Sequence, residues 1–258
     1  MGINTNYVEE ISTAISNYNS KLERPIQLKA IFFDMDGVLF DSMPYHAKSW
    51  AQAFAENGLN MPEFELYINE GSTAYYTIAK MFSKYKQCEI SEEETERIKA
   101  RKYEIMQAMP QPEVMSHMPE LLNQISSQNI DCWVVTGSAQ SSLSNRLEKV
   151  YNDCFKREKM ITANDVKKGK PNPEPYLKAM RKSGYQLHEA IVIENAPLGV
   201  ESAKAAGLFT IAINTGPIDP NTLVEAGADI VLPNSESLKN YWPSIYKLLT
   251  NKELVLSV

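Results

Sequence analysis

A set of short apolar, β-branched runs spaced by helical patterns constrains this fold most. The runs are "LKAIFF" (28–33), "CWVVT" (132–136), "AIVIE" (190–194), "FTIAI" (209–213) and "ADIVL" (228–232), with a weaker one near Met160–Thr162. Helical stretches such as "PYLKAMRKSG" (175–184) lie between the later ones. A strand buried on both faces reads as a near-continuous apolar run. Strands that alternate with helices build a parallel sheet covered on both sides. The expected core is therefore α/β, three layers deep, around a doubly wound parallel sheet.

The first two runs are nearly a hundred residues apart, and the chain between them reads as helix after helix: "YHAKSWAQAFAENG", "YYTIAKMFSKY" and "SEEETERIKARKYEIMQAM". Gly58 marks a helix stop, and Ser91 with Glu94 fits a capping box. The Pro-containing "MPQPEVMSHMP" (109–119) marks the return to the core. Residues 1–43 and 118–258 are thus expected to form the core, and 44–117 an inserted helical domain. Residues 1–25 add an extra N-terminal helix, since Val8, Ile11, Ile15, Tyr18 and Leu22 recur at spacings of three and four.

Composition narrows the partners. The net charge of −6 disfavours nucleic acid and anionic membranes, which reward clustered Lys and Arg. No apolar run approaches the roughly 20 residues of a membrane span. "MGINTNYVEE" has no basic region followed by an apolar one, so no signal peptide is expected. Cys88, Cys132 and Cys154 are odd in number and lack metal spacing. A reducing cytoplasm and a monomer are the expected setting.

Ligands of a doubly wound sheet bind beyond the carboxyl ends of its strands. Asp34 follows the first run, Thr136 ends the second, and Glu194 and Asn195 end the third. Taken alone, a terminal Asp is as easily a helix cap or turn former. Three strand ends that converge point instead to phosphoryl transfer with Mg²⁺, which takes hard oxygen ligands. One carboxylate, Asp34, can be the nucleophile. Asp36, two residues on, can move protons. The Thr136 hydroxyl can donate to phosphoryl oxygens, and Gly137 and Ser138 open a helix whose amides favour an anion. Lys170, held before the prolines of "KKGKPNPEPY", is the candidate cation.

With these residues in order, the chain resembles the haloacid dehalogenase-like superfamily, and within it the β-phosphoglucomutase-like branch. The motifs are "DMDGV" (34–38), Thr136 in "VVTGS", Lys170 in "GKPNPEPY" and "ENAPLGVESAKAAG" (194–207). The resemblance implies a Rossmann-like core with a helical cap, and an aspartyl-phosphate on Asp34. It also implies that Asp36 is the general acid/base, with Thr136 and Lys170 on the phosphoryl group. Mg²⁺ would be held by Asp34, Asp36, Glu194 and Asn195. His46 and Trp50 match a "DSxxxHxxxW" run; His46 would lie near the hinge and the substrate, and Trp50 would pack.

Two departures bear on substrate. Asn195 stands where an Asp is usual, which removes a negative charge from the metal site. The cap loop "INEGSTAYYT" (68–77) has no arginine to hold a second phosphate, and "TGSAQS" (136–141) lacks a following lysine. Glu70, just before Gly71, is the candidate that restores the lost charge as a further metal ligand, a pairing that resembles the inorganic-pyrophosphatase offshoot of the branch. The expected activity is Mg²⁺-dependent hydrolysis of a small phosphorylated substrate, with inorganic pyrophosphate preferred. β-Phosphoglucomutase or a sugar-phosphate phosphatase is the alternative, and a non-catalytic binding protein on the same scaffold comes third.

Overall fold

A computed structural model describes residues 5–138, 141–151 and 154–250. The apolar tail "ELVLSV" (253–258), for which the sequence suggests no role, lies outside them. Six strands form one parallel sheet: β1 (Ala30–Phe33), β2 (Asp131–Val135), β3 (Met160–Ile161), β4 (Ala190–Glu194), β5 (Phe209–Ile213) and β6 (Ile230–Leu232). Their order is β3-β2-β1-β4-β5-β6, so β1 is central, between β2 and β4. Phe33 pairs with Val134 on one side and Ile193 on the other. That register ends the three strands level, which is why their next residues meet.

Side chains alternate across the sheet, as the two-residue period of a strand requires. Ile31, Phe33, Val134, Ile193 and Ile211 join the larger apolar layer. The helices α1 (Thr5–Asn19), α6 (Met118–Ser127), α7 (Ser141–Val150) and α11 (Ser235–Thr250) cover that face. Phe32, Trp133, Val135 and Val192 face the other way, against α8 (Glu174–Ser183) and α9 (Pro197–Ala205). Each fully buried Phe or Ile contributes roughly 1.5–3 kcal/mol, enough to hold these strand ends rigidly. The short α10 (Pro220–Glu225) completes the core.

The N-terminal helix stops at Asn19, three residues short of the apolar periodicity, although Leu22 still packs on the core. Tyr7 stacks on Tyr241 of α11, and the Tyr18 hydroxyl donates to the Gly207 carbonyl.

Four helices follow β1: α2 (Met43–Ala55), α3 (Glu63–Ile68), α4 (Ala74–Lys86) and α5 (Glu92–Gln107). They enclose an apolar cluster of their own, including Trp50, Phe54, Leu66, Ile78, Met81 and Ile98. Ser91 caps α5 by accepting from the Glu94 amide, but its hydroxyl also donates to the Glu94 carboxylate, so the reciprocal half of the expected capping box is replaced by a side-chain bond. Ile218, from the loop after β5, joins this second cluster and ties the two layers together.

Candidate active site

Asp34 follows β1, Thr136 follows β2, and Glu194 and Asn195 lie at the end of β4. Lys170 enters from the loop before α8 and is fully buried. Its Nζ lies 2.6 Å from Asp34 Oδ1 and 2.5 Å from Glu194 Oε1, and it donates to the Val135 carbonyl at 3.0 Å. Glu194 also accepts from the Tyr176 hydroxyl at 2.9 Å and from the amides of Asn195 and Ala196. Its oxygens are occupied, and in this arrangement Glu194 holds the lysine.

Asp36 has different company. Ser42 donates to its Oδ1 at 2.6 Å, and His46 Nε2 lies 3.2 Å from the same oxygen, a close charge contact without hydrogen-bond alignment. Thr136 Oγ1 stands 3.5 Å from Asp36 Oδ2 and accepts from the Ser138 amide at 3.0 Å. Lys167 and Lys168 are exposed, and their backbone amides donate to the Glu174 carboxylate.

The two carboxylates are pushed apart electrostatically. Burial raises the Asp34 pKa; Lys170 pulls it down, but Glu194 and Asp36 add to the rise, and the net direction is up. Burial also opposes ionisation of Asp36, yet the His46 ring beside it, the Ser42 hydrogen bond and the Lys102 charge outweigh it and hold the carboxyl at about 2. Asp36 therefore rests ionised, in the form that accepts a proton.

A cavity of about 340 Å³ opens over these groups, between the helical layer and the sheet edge. Asp34, Asp36 and Thr136 form its floor; Glu70, Lys102 and Tyr75 come from the helical layer. Glu70 is 9% exposed, and its Oε1 is 2.8 Å from His46 Nδ1. Lys102 Nζ lies 3.2 Å from the same ring nitrogen and sits over the Trp50 ring. His46 is buried between Asp36 and Glu70, so it bridges the two layers. Trp50 stacks on Phe54 and also lines the cavity.

Residues 31–213 match the family model of haloacid dehalogenase-like hydrolases. The chain belongs to that family. It is 30% identical to glycerol-1-phosphate phosphohydrolase 1 of Saccharomyces cerevisiae, over 84% of this chain and 87% of that one. It is 31% identical to hexitol phosphatase A of Escherichia coli, over 83% and 94%. A solved structure from Bacteroides vulgatus, provisionally named a β-phosphoglucomutase, is 41% identical, covers 93% of this chain and 98% of that one, and superposes with a TM-score of 0.89. These likenesses place the chain in the β-phosphoglucomutase-like branch of the haloacid dehalogenase-like hydrolases.

The site's residues fit a hard divalent cation. Among the described residues no three His, Cys, Asp or Glu side chains form a metal cluster by themselves. An ion would need the Asn195 amide, and Asn195 Oδ1 is buried without a hydrogen-bond partner. Surplus negative charge around one lysine, and an orphaned hard oxygen on the residue next to Glu194, are what Mg²⁺ would satisfy.

Lys102, Ser42 and Tyr176 escaped the sequence reading. For a second phosphate the sequence reading weighed cations only in the 68–77 loop and after Thr136, whereas α5 supplies Lys102 and Lys99 to the cavity. The signal was present: Lys102 shares the stripe of Ile98, Ile105 and Met106 at helical spacing, the buried face of α5.

Proposed function

We propose that this chain is a Mg²⁺-dependent phosphohydrolase whose substrate is a small phosphate monoester of a polyol or sugar. One observation carries the reading. Two carboxylates at one strand end sit in environments that push their protonation apart, Asp34 on buried Lys170 and Asp36 on Ser42 and His46. Pairs separated in this way mark acid–base assignments.

As substrate enters, the proton held by Asp34, whose pKa is raised, passes to ionised Asp36. In the first step the freed Asp34 carboxylate attacks phosphorus, the bond to the leaving oxygen breaks, and that oxygen takes the proton from Asp36, which is left ionised for the second step. In the second step water attacks the same phosphorus, Asp36 takes the water's proton, and the bond to Asp34 breaks to release phosphate. Lys170 orients Asp34 and offsets phosphoryl charge, and the Thr136 hydroxyl donates to a phosphoryl oxygen. Mg²⁺, when bound by Asp34, Asp36 and Asn195, supplies charge neutralisation on the phosphoryl group. The helical layer excludes bulk water.

The substrate class rests on kinship. The yeast and bacterial relatives are named for glycerol and hexitol phosphates. A cavity of about 340 Å³ suits a substrate of that size. Pyrophosphate is the second reading, favoured by Glu70, which brings a buried carboxylate into a site where an Asn replaces an acid. It requires no polyol pocket.

A phosphate-release panel with Mg²⁺ decides between them: glycerol phosphate, hexitol and hexose 6-phosphates, β-glucose 1-phosphate with coupled detection of glucose 6-phosphate, and pyrophosphate. Release from the polyol or hexose phosphates is expected. Pyrophosphate as the sole substrate sinks the monoester reading in favour of the second. Conversion of β-glucose 1-phosphate to glucose 6-phosphate without net release makes the chain a mutase. Inactivity in every arm returns it to a binding scaffold.

A further inference from the structure

The loop from Glu70 to Thr73 lies against three core segments at once. A Cβ placed on Gly137 would stand 2.3 Å from the Gly71 carbonyl oxygen and 3.0 Å from that of Ser72. A Cβ on Gly169 would stand 2.5 Å from Thr73 Cγ2 and 3.3 Å from the Thr73 amide. A Cβ on Gly71, at φ +89°, would stand 3.5–3.9 Å from Ala196 Cβ, Lys170 Cδ and the Gly199 amide nitrogen. The Ser72 hydroxyl donates to the Lys170 carbonyl.

Gly137 and Gly169 are not among the glycines with positive φ. An alanine would fit their own backbone, so what each supplies is the missing Cβ and not conformational freedom. That space is taken by the cap loop. Gly137 directly follows Thr136 and Gly169 directly precedes Lys170, so the loop is gauged against the two segments that hold the phosphoryl-binding candidates.

We propose that Gly137, Gly169, Ser72 and Thr73 are positioning residues: the loop docks closely on the two core glycines, and that docking sets where Glu70 stands over Asp34 and Asp36. The consequence for turnover rests on the phosphohydrolase reading, whereas the docking does not. Gly169→Ala drives a methyl group into Thr73 Cγ2 and lifts the loop. Thr73→Ser removes Cγ2 but keeps the hydroxyl that caps α4. The two changes therefore compensate, which a residue with a merely local role would not show.

The test is a cycle of four proteins: wild type, Gly169→Ala, Thr73→Ser and the double variant. Amide hydrogen exchange across 70–77, measured without ligand, reports docking whatever the substrate. The kcat/KM for the best substrate of the panel reports its consequence. Gly169→Ala is expected to exchange faster in the loop and to lose kcat/KM by on the order of tenfold to a hundredfold, the scale of a 1 Å misplacement. Thr73→Ser stays near wild type, and the double variant recovers most of both losses. Gly137→Ala, which meets loop backbone, is not rescued by Thr73→Ser. Wild-type exchange in Gly169→Ala, or a double variant no better than the single, overturns the proposal. Faster loop exchange with unchanged turnover upholds the docking and overturns its catalytic consequence. If Gly169→Ala does not fold, Ser72→Ala carries the test: faster loop exchange at an unchanged Tm supports the docking, and unchanged exchange overturns it.

Discussion

Two charge clusters meet across the cavity, and they are held by different means. On the core side, Lys170 lies between Asp34 and Glu194 with side chains 0–3% exposed. Strand ends fix the two carboxylates, the loop before α8 brings the lysine, and an apolar layer on each face fixes the strands. On the cap side, Glu70, His46 and Lys102 come from a loop and two helices and meet Asp36 at one histidine ring. They are buried together while the loop rests on Gly137 and Gly169. The first cluster is part of the folded core; the second is assembled by apposition of two layers. Changes to the first should cost activity and, for its lysine, stability. Changes to the second should cost activity or shift pH dependence with little effect on the fold.

Asp34→Asn gives the largest separation of the two properties. Turnover should fall on the order of 10⁴-fold or more, since the nucleophile is gone. Tm should hold or rise, because one of several buried negative charges is removed and Asn can still accept from Lys170. Steady-state kinetics with differential scanning fluorimetry checks both. Residual turnover within about a hundredfold of wild type removes Asp34 from the nucleophile's role.

Lys170→Met breaks the core cluster itself. It strands two carboxylates without their cation and leaves the Val135 carbonyl without its donor. Removing one partner of a buried pair costs about 3–5 kcal/mol, which for a chain of this size is a Tm loss on the order of 10 °C. A variant that melts with wild type would mean that water or a counterion replaces the ammonium group, and that the cluster is less closed than its burial indicates.

The same contrast explains what the sequence made legible. Five of the six strands were readable as continuous apolar runs, and the ends of three of them, β1, β2 and β4, announced their polar residues: Asp34, Thr136, and Glu194 with Asn195. β3 spans only Met160–Ile161 and left a weaker trace. Lys170 was readable from its frame of prolines. Lys102 was missed because α5 is polar overall, and only its spacing from Ile98 and Ile105 placed it inside. The engagement of Glu194 by Tyr176 could not be read, because the partners are 18 residues apart on different elements. Nor could the docking at Gly137 and Gly169, since a glycine kept for another segment's backbone looks like any loop glycine until that segment is in place.

Glu70→Ala breaks the cap side. Activity should fall about tenfold or more, equivalent to about 1.4 kcal/mol of transition-state stabilisation, and more Mg²⁺ should be needed for half-maximal rate. Tm should change far less than in Lys170→Met. A Mg²⁺ titration of initial rates checks the first point and a melting curve the second. Wild-type kinetics would leave Glu70 as a buried partner of His46 alone.

The smallest effect isolates His46. Burial and Lys102 oppose its protonation, but Glu70 and Asp36 outweigh them and raise its pKa from 6.5 to about 9. A folded-state pKa above the unfolded one means that the protonated ring stabilises the fold. That contribution is fully present below about pH 6.5 and is lost as pH rises through about 9. With a chelator present, so that no metal competes for Asp36 and Glu70, Tm of wild type minus Tm of His46→Gln should be largest at pH 6 and decline toward pH 9–10. The difference is the informative quantity. Asp34, whose own pKa is raised, titrates in both proteins and largely cancels, whereas the His46 charge exists in one alone. A difference that stays flat across this range would mean that the ring is held neutral, and that Glu70 and Asp36 are balanced by Lys102 instead.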